Sequence, residues 1–235
     1  MKAVFITGVS SGIGYALSQR FLQDGWFVYG ISRREPETLM KNKRFHFKPL
    51  DLKNLQSIEP TLQVLLKNIN KVELVILNAG MLGDIEDLND TNIEKLKTIM
   101  DVNVWANKVI CDFLFQTTSI KQIIGISTGA SQESYRGWNG YAISKSAFNM
   151  LLGLYAQEKK DIHFSILIPG VIDTAMQDYI FQMGDAQKFP TLTRLKDLKS
   201  TGHMIQPLEW AKRFLEVFLS FKTYSSGSII DWEML

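Results

Sequence analysis

The stretch Thr7-Gly8-Val9-Ser10-Ser11-Gly12-Ile13-Gly14 decides the fold. An apolar run, residues 3–6, leads into it, and apolar residues four apart follow it until Gly25. A strand, a glycine turn and a helix in this order form a phosphate-binding unit, because glycine permits the tight turn and a helix N-terminus attracts anions. The spacing G-x-x-x-G-x-G differs from the usual G-x-G-x-x-G fingerprint, so the stretch alone is also compatible with a plain turn. No Gly-Lys-Ser/Thr follows, which argues against a P-loop.

The composition is typical of a globular protein that is not specialised for nucleic acid or membranes. The chain has 235 residues, 46% of them hydrophobic and 21% charged, with a net charge of +2. This length suits one α/β domain, and the balanced charge argues against a nucleic acid or an anionic membrane as the main partner. The single cysteine, Cys111, allows no intrachain disulfide. With no apparent leader or membrane span, we expect a cytoplasmic protein, and no metal-ligand spacing suggests a metal site.

Strand-like and helix-like segments alternate along the chain. Strands are predicted at residues 3–6, 26–32, 45–50, 72–77, 123–127, 162–168 and 228–231. Helices are predicted after Gly12 and near Asn54, at 91–119 with a break near Asp101-Val102-Asn103, at 139–158 and at 207–221. Residues 175–206 are predicted to be an irregular insertion. The alternation predicts an α/β fold with a doubly wound parallel sheet and helices on both of its faces.

Two arginines follow the second predicted strand, where a dinucleotide-binding unit meets the adenosine ribose. An acidic residue there would bind the ribose of NAD, whereas arginine suits the 2′-phosphate of NADP. Ser32 stands in place of the acid, and Arg33 and Arg34 supply positive charge, so we expect NADP(H) to be preferred over NAD(H). The alternative is a solvated basic pair in a loop. Asp51, after the third strand, could accept a hydrogen bond from an adenine amino group or cap the helix that follows.

Tyr141 and Lys145 carry the chemistry that the sequence suggests. Four residues apart on one helix, they share a face. A neighbouring ammonium stabilises phenolate, so this pair could exchange a proton near neutral pH. The same spacing also occurs by chance in helices with no such role.

The motifs taken together are more specific than any one of them. They are Thr7-Gly8-x-x-x-Gly12-Ile13-Gly14, Asn78-Ala79-Gly80, Asn103, Ser127-Thr128, Tyr141-x-x-x-Lys145 and Pro169-Gly170-x-x-x-Thr174. In this order they resemble the short-chain dehydrogenase/reductase family over essentially the whole chain. The resemblance implies a Rossmann-like domain with a seven-stranded parallel sheet, a nicotinamide cofactor and hydride transfer between it and a carbonyl or alcohol. The Gly-Trp pair before Tyr141 and the Ser-Gly-Ser-Ile-Ile-Asp ending look like its sepiapterin and benzil reductases.

The resemblance also implies roles for individual residues. Tyr141 would be the general acid or base, Lys145 would lower its pKa and hold the nicotinamide ribose, and Asn103 would hold a water at a helix kink. The hydroxyl that binds the substrate oxygen would be Thr128, 13 residues before Tyr141 as in the family, or Ser127 beside it. The cofactor site would comprise Gly8, Ser10, Ser11, Gly12, Ile13, Gly14, Arg33, Arg34, Asp51, Leu52, Asn78, Ala79, Gly80, Tyr141, Lys145, Pro169, Gly170, Ile172 and Thr174.

Other readings of the sequence remain open. A sensor or scaffold protein that binds NADP without turnover is one alternative, and an enoyl reductase or epimerase on the same fold is another. Residues 175–206 could pack as ordinary structure or form a substrate lid with Met176, Tyr179, Phe181, Met183 and Phe189. The family commonly forms homodimers or homotetramers, for which Phe113, Leu114, Phe148, Leu151, Leu152 and Tyr155 offer apolar surface.

Overall fold

The computed structural model describes residues 2–183 and 185–235, apart from the Met183 side chain. Within this part of the chain the strands are β1 Ala3–Thr7, β2 Phe27–Ser32, β3 Phe45–Pro49, β4 Lys71–Leu77, β5 Ser119–Ile126, β6 His163–Ile168 and β7 Ser228–Asp231. They form one parallel sheet in the order β3-β2-β1-β4-β5-β6-β7. The doubly wound, seven-stranded sheet is therefore confirmed.

The order of the strands reverses beside β1. The chain moves outward from β1 through β2 to β3, and then returns to place β4 on the other side of β1. Such a reversal opens a crevice at the carboxyl ends of the two central strands, where open α/β sheets bind their ligands. The residues after β1 and β4, Gly8 and Asn78, lie at this crevice.

Helices cover both faces of the sheet. They are α1 Gly12–Gln23, α2 Glu37–Met40, α3 Ile58–Leu65, α4 Ile93–Met100, α5 Ala106–Thr117, α6 Asn139–Glu158, α7 Ala175–Met183, α8 Pro190–Ser200 and α9 Pro207–Val217. Residues of α3, α5 and α6 pack on one face, and residues of α1 and α9 pack on the other. The continuous burial of strands such as β1 follows from this double cover, since neither face of the sheet is left to solvent.

Two helical predictions need correction in detail. The two pieces predicted within 91–119 are α4 and α5, but the predicted break near Asp101-Val102-Asn103 is a π-helical turn, Asp101–Trp105, that joins them without a gap, and α5 ends at Thr117. The insertion 175–206 is not irregular, since it contains α7 and α8. Helix α6, in contrast, has the predicted bounds.

The apolar surface expected to pair two subunits is mostly core. Leu114, Phe148, Leu152 and Tyr155 are buried against the sheet, while Phe113 and Leu151 are partly buried beside them. Large apolar side chains on the outer side of α6 are instead Ile143, Met150 and Leu154, which are 49%, 65% and 55% exposed. Among the described residues, no helix is long and apolar enough to cross a membrane.

Candidate active site

The glycine turn between β1 and α1 is held by the end of β4. The Asn78 side-chain amide donates to the carbonyls of Thr7, at 2.9 Å, and Gly8, at 3.4 Å. The Thr7 hydroxyl in turn accepts from the backbone N–H groups of Asn78 and Ala79, both at 2.9 Å. Gly8 and Gly12 have φ angles of +79° and +57°, which favour glycine. The turn therefore needs glycine at positions 8 and 12 and the side chain of Asn78.

The N-terminus of α1 fits a cofactor pyrophosphate. Ser11 occupies the N-cap position, but its side chain forms no capping hydrogen bond, and the first turn of the helix holds no acidic residue. The first N–H groups of a helix carry a partial positive charge and need acceptors from outside the helix. Ser10, Ser11, Gly12 and Ile13 line a cavity, so an anion in that cavity would meet these groups.

Basic side chains line the far end of the same cavity. Arg33, Arg34 and Lys53 all do so, and none forms an ion pair with any residue that the structure describes. The Ser32 hydroxyl donates to the Arg34 carbonyl at 2.7 Å. Asp51 does not cap a helix, because the next helical turn begins at Leu55 with Asn54 at its N-cap position. Its carboxylate accepts from the N–H of Lys53 at 3.1 Å within the loop. The sequence analysis missed Lys53, although its position two residues after Asp51 was a usable signal.

A single cavity of about 830 Å³ joins these groups to the tyrosine and lysine. The site residues that line it are Gly8, Ser10, Ser11, Gly12, Ile13, Arg33, Arg34, Asp51, Leu52, Asn78, Ala79, Gly80, Ser127, Thr128, Tyr141, Lys145, Pro169, Gly170, Ile172 and Thr174. Gly14 and Asn103 lie behind its wall. A Cβ atom on Gly14 would come within 2.3 Å of the Gly8 carbonyl oxygen, so Gly14 serves close packing of helix on turn.

Burial sets the pKa values of Tyr141 and Lys145. Burial raises the pKa of Tyr141 to about 12, and the nearby Thr128 hydroxyl offsets part of that rise. Burial lowers the pKa of Lys145 to about 8. The Lys145 ammonium lies 5.9 Å from the centre of the Tyr141 ring and donates to the Ile126 carbonyl at 2.7 Å. In the protein alone Lys145 is not among the causes of the shift in the Tyr141 pKa, so the expected lowering of that pKa by Lys145 stays a prediction.

The two candidate hydroxyls have different surroundings. Ser127 is 4% exposed, and its hydroxyl donates to the Asn149 side-chain oxygen at 2.6 Å. Thr128 is less buried and lies close enough to Tyr141 to stabilise its phenolate. Of the two hydroxyls, that of Thr128 therefore lies beside the Tyr141 phenol, whereas that of Ser127 is engaged in its hydrogen bond to Asn149.

Asn103 lies in the π-helical turn and ties three elements together. Its side chain exchanges hydrogen bonds with the backbone of Met81, at 2.7 and 2.8 Å, and donates to Ser144 at 2.9 Å. The backbone carbonyl of Asn103 accepts from the Asn107 side-chain amide at 2.9 Å. A Cβ atom on Gly80 would lie 3.5 Å from Asn103 Oδ1 and 3.6 Å from Lys145 Nζ, so Gly80 lies beside both of these groups.

Comparison with known proteins gives the family. The family described as short chain dehydrogenase matches residues 2–185. This chain belongs to the short chain dehydrogenase family. It is accordingly an oxidoreductase, and the family binds a nicotinamide cofactor.

Relatives of this short chain dehydrogenase match it along nearly its whole length. A benzil reductase ((S)-benzoin forming) of Bacillus cereus is 28% identical over 98% of each chain. A benzil reductase of Saccharomyces cerevisiae is 28% identical over 88% of this chain and 86% of its own. Together they put the chain near the benzil reductase branch.

Solved structures of the family share the fold. A short chain dehydrogenase/reductase of Saccharomyces cerevisiae superimposes with a TM-score of 0.86 at 22% identity, covering 98% of this chain and 96% of that one. A short chain dehydrogenase of Shigella flexneri, complexed with NADP, gives a TM-score of 0.79 at 20% identity, covering 98% and 96%.

In this short chain dehydrogenase, apolar side chains form part of the cavity wall beyond Tyr141, beside polar ones such as Thr191 and Arg194. Leu82, Trp138, Ile180 and Leu195 line it and belong to one buried cluster. Ile180 lies on α7 and Leu195 on α8, so the insertion supplies part of this wall.

An ion cluster fastens the insertion to the loops beside it. Asp87 accepts two hydrogen bonds from Arg136, at 2.7 and 2.9 Å, and its carboxylate lies 3.0 Å from the Lys188 ammonium. The hydrogen bond from Arg136 is the largest of the effects that hold the pKa of Asp87 well below its usual range. Tyr179 adds a hydrogen bond to Asp84 at 3.3 Å.

Proposed function

We propose that this chain is an NADP(H)-dependent carbonyl reductase or alcohol dehydrogenase in which Tyr141 is the general acid and base. One observation carries the proposal. The cavity has Tyr141, Thr128 and Lys145 in its middle and a cluster of apolar side chains at one end. At its other end lie three basic side chains that form no ion pair with a described residue. That order matches a long anionic cofactor lying beside an apolar carbonyl substrate.

The chain's own groups fit the cofactor along the cavity. When bound, the nicotinamide supplies a hydride. The free N–H groups of α1 would hold the pyrophosphate, and Arg33, Arg34 and Lys53 would bind the 2′-phosphate, which NAD lacks. Lys145 would hold the nicotinamide ribose, and Pro169, Gly170, Ile172 and Thr174 would hold the carboxamide.

Tyr141 and Thr128 would act on the substrate oxygen. A pKa near 12 keeps the Tyr141 phenol protonated at neutral pH, so in reduction it has a proton to give to the carbonyl oxygen. The Thr128 hydroxyl would donate a hydrogen bond to the same oxygen and hold it beside the phenol. Asn103 would keep the turn after β4 in place. Its backbone carbonyl accepts one hydrogen bond from Asn107 and has a second lone pair, which would hold a water.

The apolar wall supports a hydrophobic carbonyl substrate. We propose an aromatic ketone or diketone, because Trp138, Ile180 and Leu195 offer apolar surface beside Tyr141 and the relatives include benzil reductases. We also propose that residues 175–206 act as the lid of one domain, residues 1–235, since α7 and α8 contribute to this wall.

The test is an NADPH-oxidation screen over ketones, diketones including benzil, and pterins. Tyr141→Phe should lower kcat by about 10²–10⁴, the usual contribution of a general acid, and leave the NADPH Kd close to wild type. Lys145→Met should lose both activity and cofactor affinity. A Tyr141→Phe enzyme that keeps more than about a tenth of wild-type kcat, with chemistry shown to limit the rate, would remove Tyr141 from the acid role.

A further inference from the structure

Asn149 continues the functional face of α6 by one more turn. Tyr141, Lys145 and Asn149 follow one another at intervals of four residues, so their side chains leave the helix on one side. Tyr141 and Lys145 line the cavity, whereas Asn149 is 8% exposed and contacts the turn that follows β5. The proposed function gives Asn149 no role.

The oxygen and the nitrogen of the Asn149 side-chain amide both form hydrogen bonds with this turn. Its oxygen accepts from the Ser127 hydroxyl at 2.6 Å, and its nitrogen donates to the Ser131 hydroxyl at 2.8 Å. The Ser131 hydroxyl then donates to the carbonyl of Thr128 at 2.6 Å. Asn149 therefore holds the residue before Thr128 directly, and holds Thr128 itself through one intervening hydroxyl.

Thr128 needs such support because the sheet ends before it. The last backbone hydrogen bond from this strand to β6 is made by Ser127, whose N–H donates to the Leu167 carbonyl at 2.7 Å. Beyond it the chain enters a short 3-10 turn, Gly129–Ser131, in which the Thr128 hydroxyl accepts a long bond of 3.4 Å from Ala130. That long bond is too weak to fix the hydroxyl on its own.

We propose that Asn149 is a positioning residue that sets the Thr128 hydroxyl against the Tyr141 phenol. The inference rests on the proposed function, in which these two groups share the substrate oxygen. Because Asn149 and Tyr141 project from the same rigid helix, the donor and the acid are held by one element rather than by two independent loops. Reaction rates are sensitive to displacements of well under 1 Å in such a pair.

The test compares Asn149→Leu with a buried amide variant away from the site. Gln122→Leu is the matched control, since Gln122 is 1% exposed, lies in the middle of β5 and donates to the Phe218 carbonyl at 3.2 Å. Both variants should lose thermal stability. Only Asn149→Leu should lower kcat, by about tenfold, with the NADPH Kd within about twofold of wild type.

A double-mutant cycle separates positioning from folding. If Asn149 acts through Thr128, then Asn149→Leu added to Thr128→Val should cost less than about twofold in kcat. Ser131→Ala, a small change at a partly exposed side chain, removes the hydroxyl that links Asn149 to the Thr128 carbonyl and leaves the bond between Ser127 and Asn149 in place. It serves if Asn149→Leu does not fold. It should lower kcat in the wild type and have no further effect beside Thr128→Val.

The outcomes distinguish this inference from the proposed function. Loss of kcat in Thr128→Val together with wild-type kcat in Asn149→Leu and Ser131→Ala would overturn the inference alone. Wild-type kcat in Thr128→Val would overturn the role of Thr128 in the proposed function. Methyl NMR of threonine-labelled protein then decides positioning without any turnover. The Thr128 methyl signal should shift in Asn149→Leu and not in Gln122→Leu, and an unchanged signal in Asn149→Leu would refute the inference.

Discussion

Replacing Gly14 by alanine tests the packing of α1 on the glycine turn. A Cβ atom at this position would lie 2.3 Å from the Gly8 carbonyl oxygen and 2.5 Å from the Asn78 amide nitrogen. Ordinary contacts begin near 3.4 Å, so the helix or the turn must move by about 1 Å. Such overpacking costs about 1–3 kcal/mol, against which alanine gains about 1 kcal/mol in helix propensity. We therefore expect a net loss of up to about 2 kcal/mol in the free energy of unfolding.

Gly153→Ala is the control for this prediction. Gly153 is also inside a helix, α6, and an added Cβ atom would meet nothing within 4 Å. This variant should gain about 0.5–1 kcal/mol by urea unfolding, because only the propensity changes. Fluorescence titration should show weaker NADPH binding for Gly14→Ala alone, since the turn that faces the pyrophosphate has moved. The reasoning is refuted if Gly14→Ala is as stable as Gly153→Ala and binds NADPH like the wild type.

Three further predictions concern the cofactor, the lysine and assembly. Arg33→Ala should raise the NADPH Kd about tenfold, the worth of a charge-assisted hydrogen bond, and leave the NADH Kd nearly unchanged; equal wild-type affinity for both would contradict it. Burial lowers the pKa of Lys145 from 10.5 to about 8, so between these pH values the unfolded chain binds more protons. Wild type should therefore gain stability over Lys145→Met as pH rises through that window, by at most about 1.4 kcal/mol per pH unit in urea unfolding. We expect a homodimer through the outer side of α6. Met150→Glu should therefore shift the light-scattering mass to that of the monomer, and the control Val64→Glu, on α3, should not. A wild type that is monomeric at micromolar concentration would exclude the dimer.

The fold could be predicted from the sequence because its signals are local. Buried parallel strands appear as short apolar runs, and the glycine turn marks where the first of them meets a helix. The two helices of the insertion had weaker signals that the sequence analysis overlooked. Pro190 occupies the first turn of α8, as proline often does, and Leu192 and Leu195 are the buried residues of that helix.

The surroundings of the site residues could not be predicted in the same way. Spacing along α6 puts Tyr141 and Lys145 on one face, but their pKa values depend on burial that several distant segments produce. The choice between Ser127 and Thr128 likewise depends on Asn149, which lies 22 residues after Ser127 in the chain. Sequence spacing identifies which groups can meet, and packing decides what each group can do.

The π-helical turn shows why a helix at this site need not break. Asn103 needs its side chain directed at Met81 and Ser144, and its carbonyl is bonded by the Asn107 side chain. A π turn changes the direction of one residue and keeps the helix on both sides, whereas a true break would release further backbone groups that need partners. The loop after β4 and helix α6 are thereby fixed to a continuous helix. The contact on α6 is Ser144, the residue next to Lys145, so Asn103 also holds the helix that carries Tyr141.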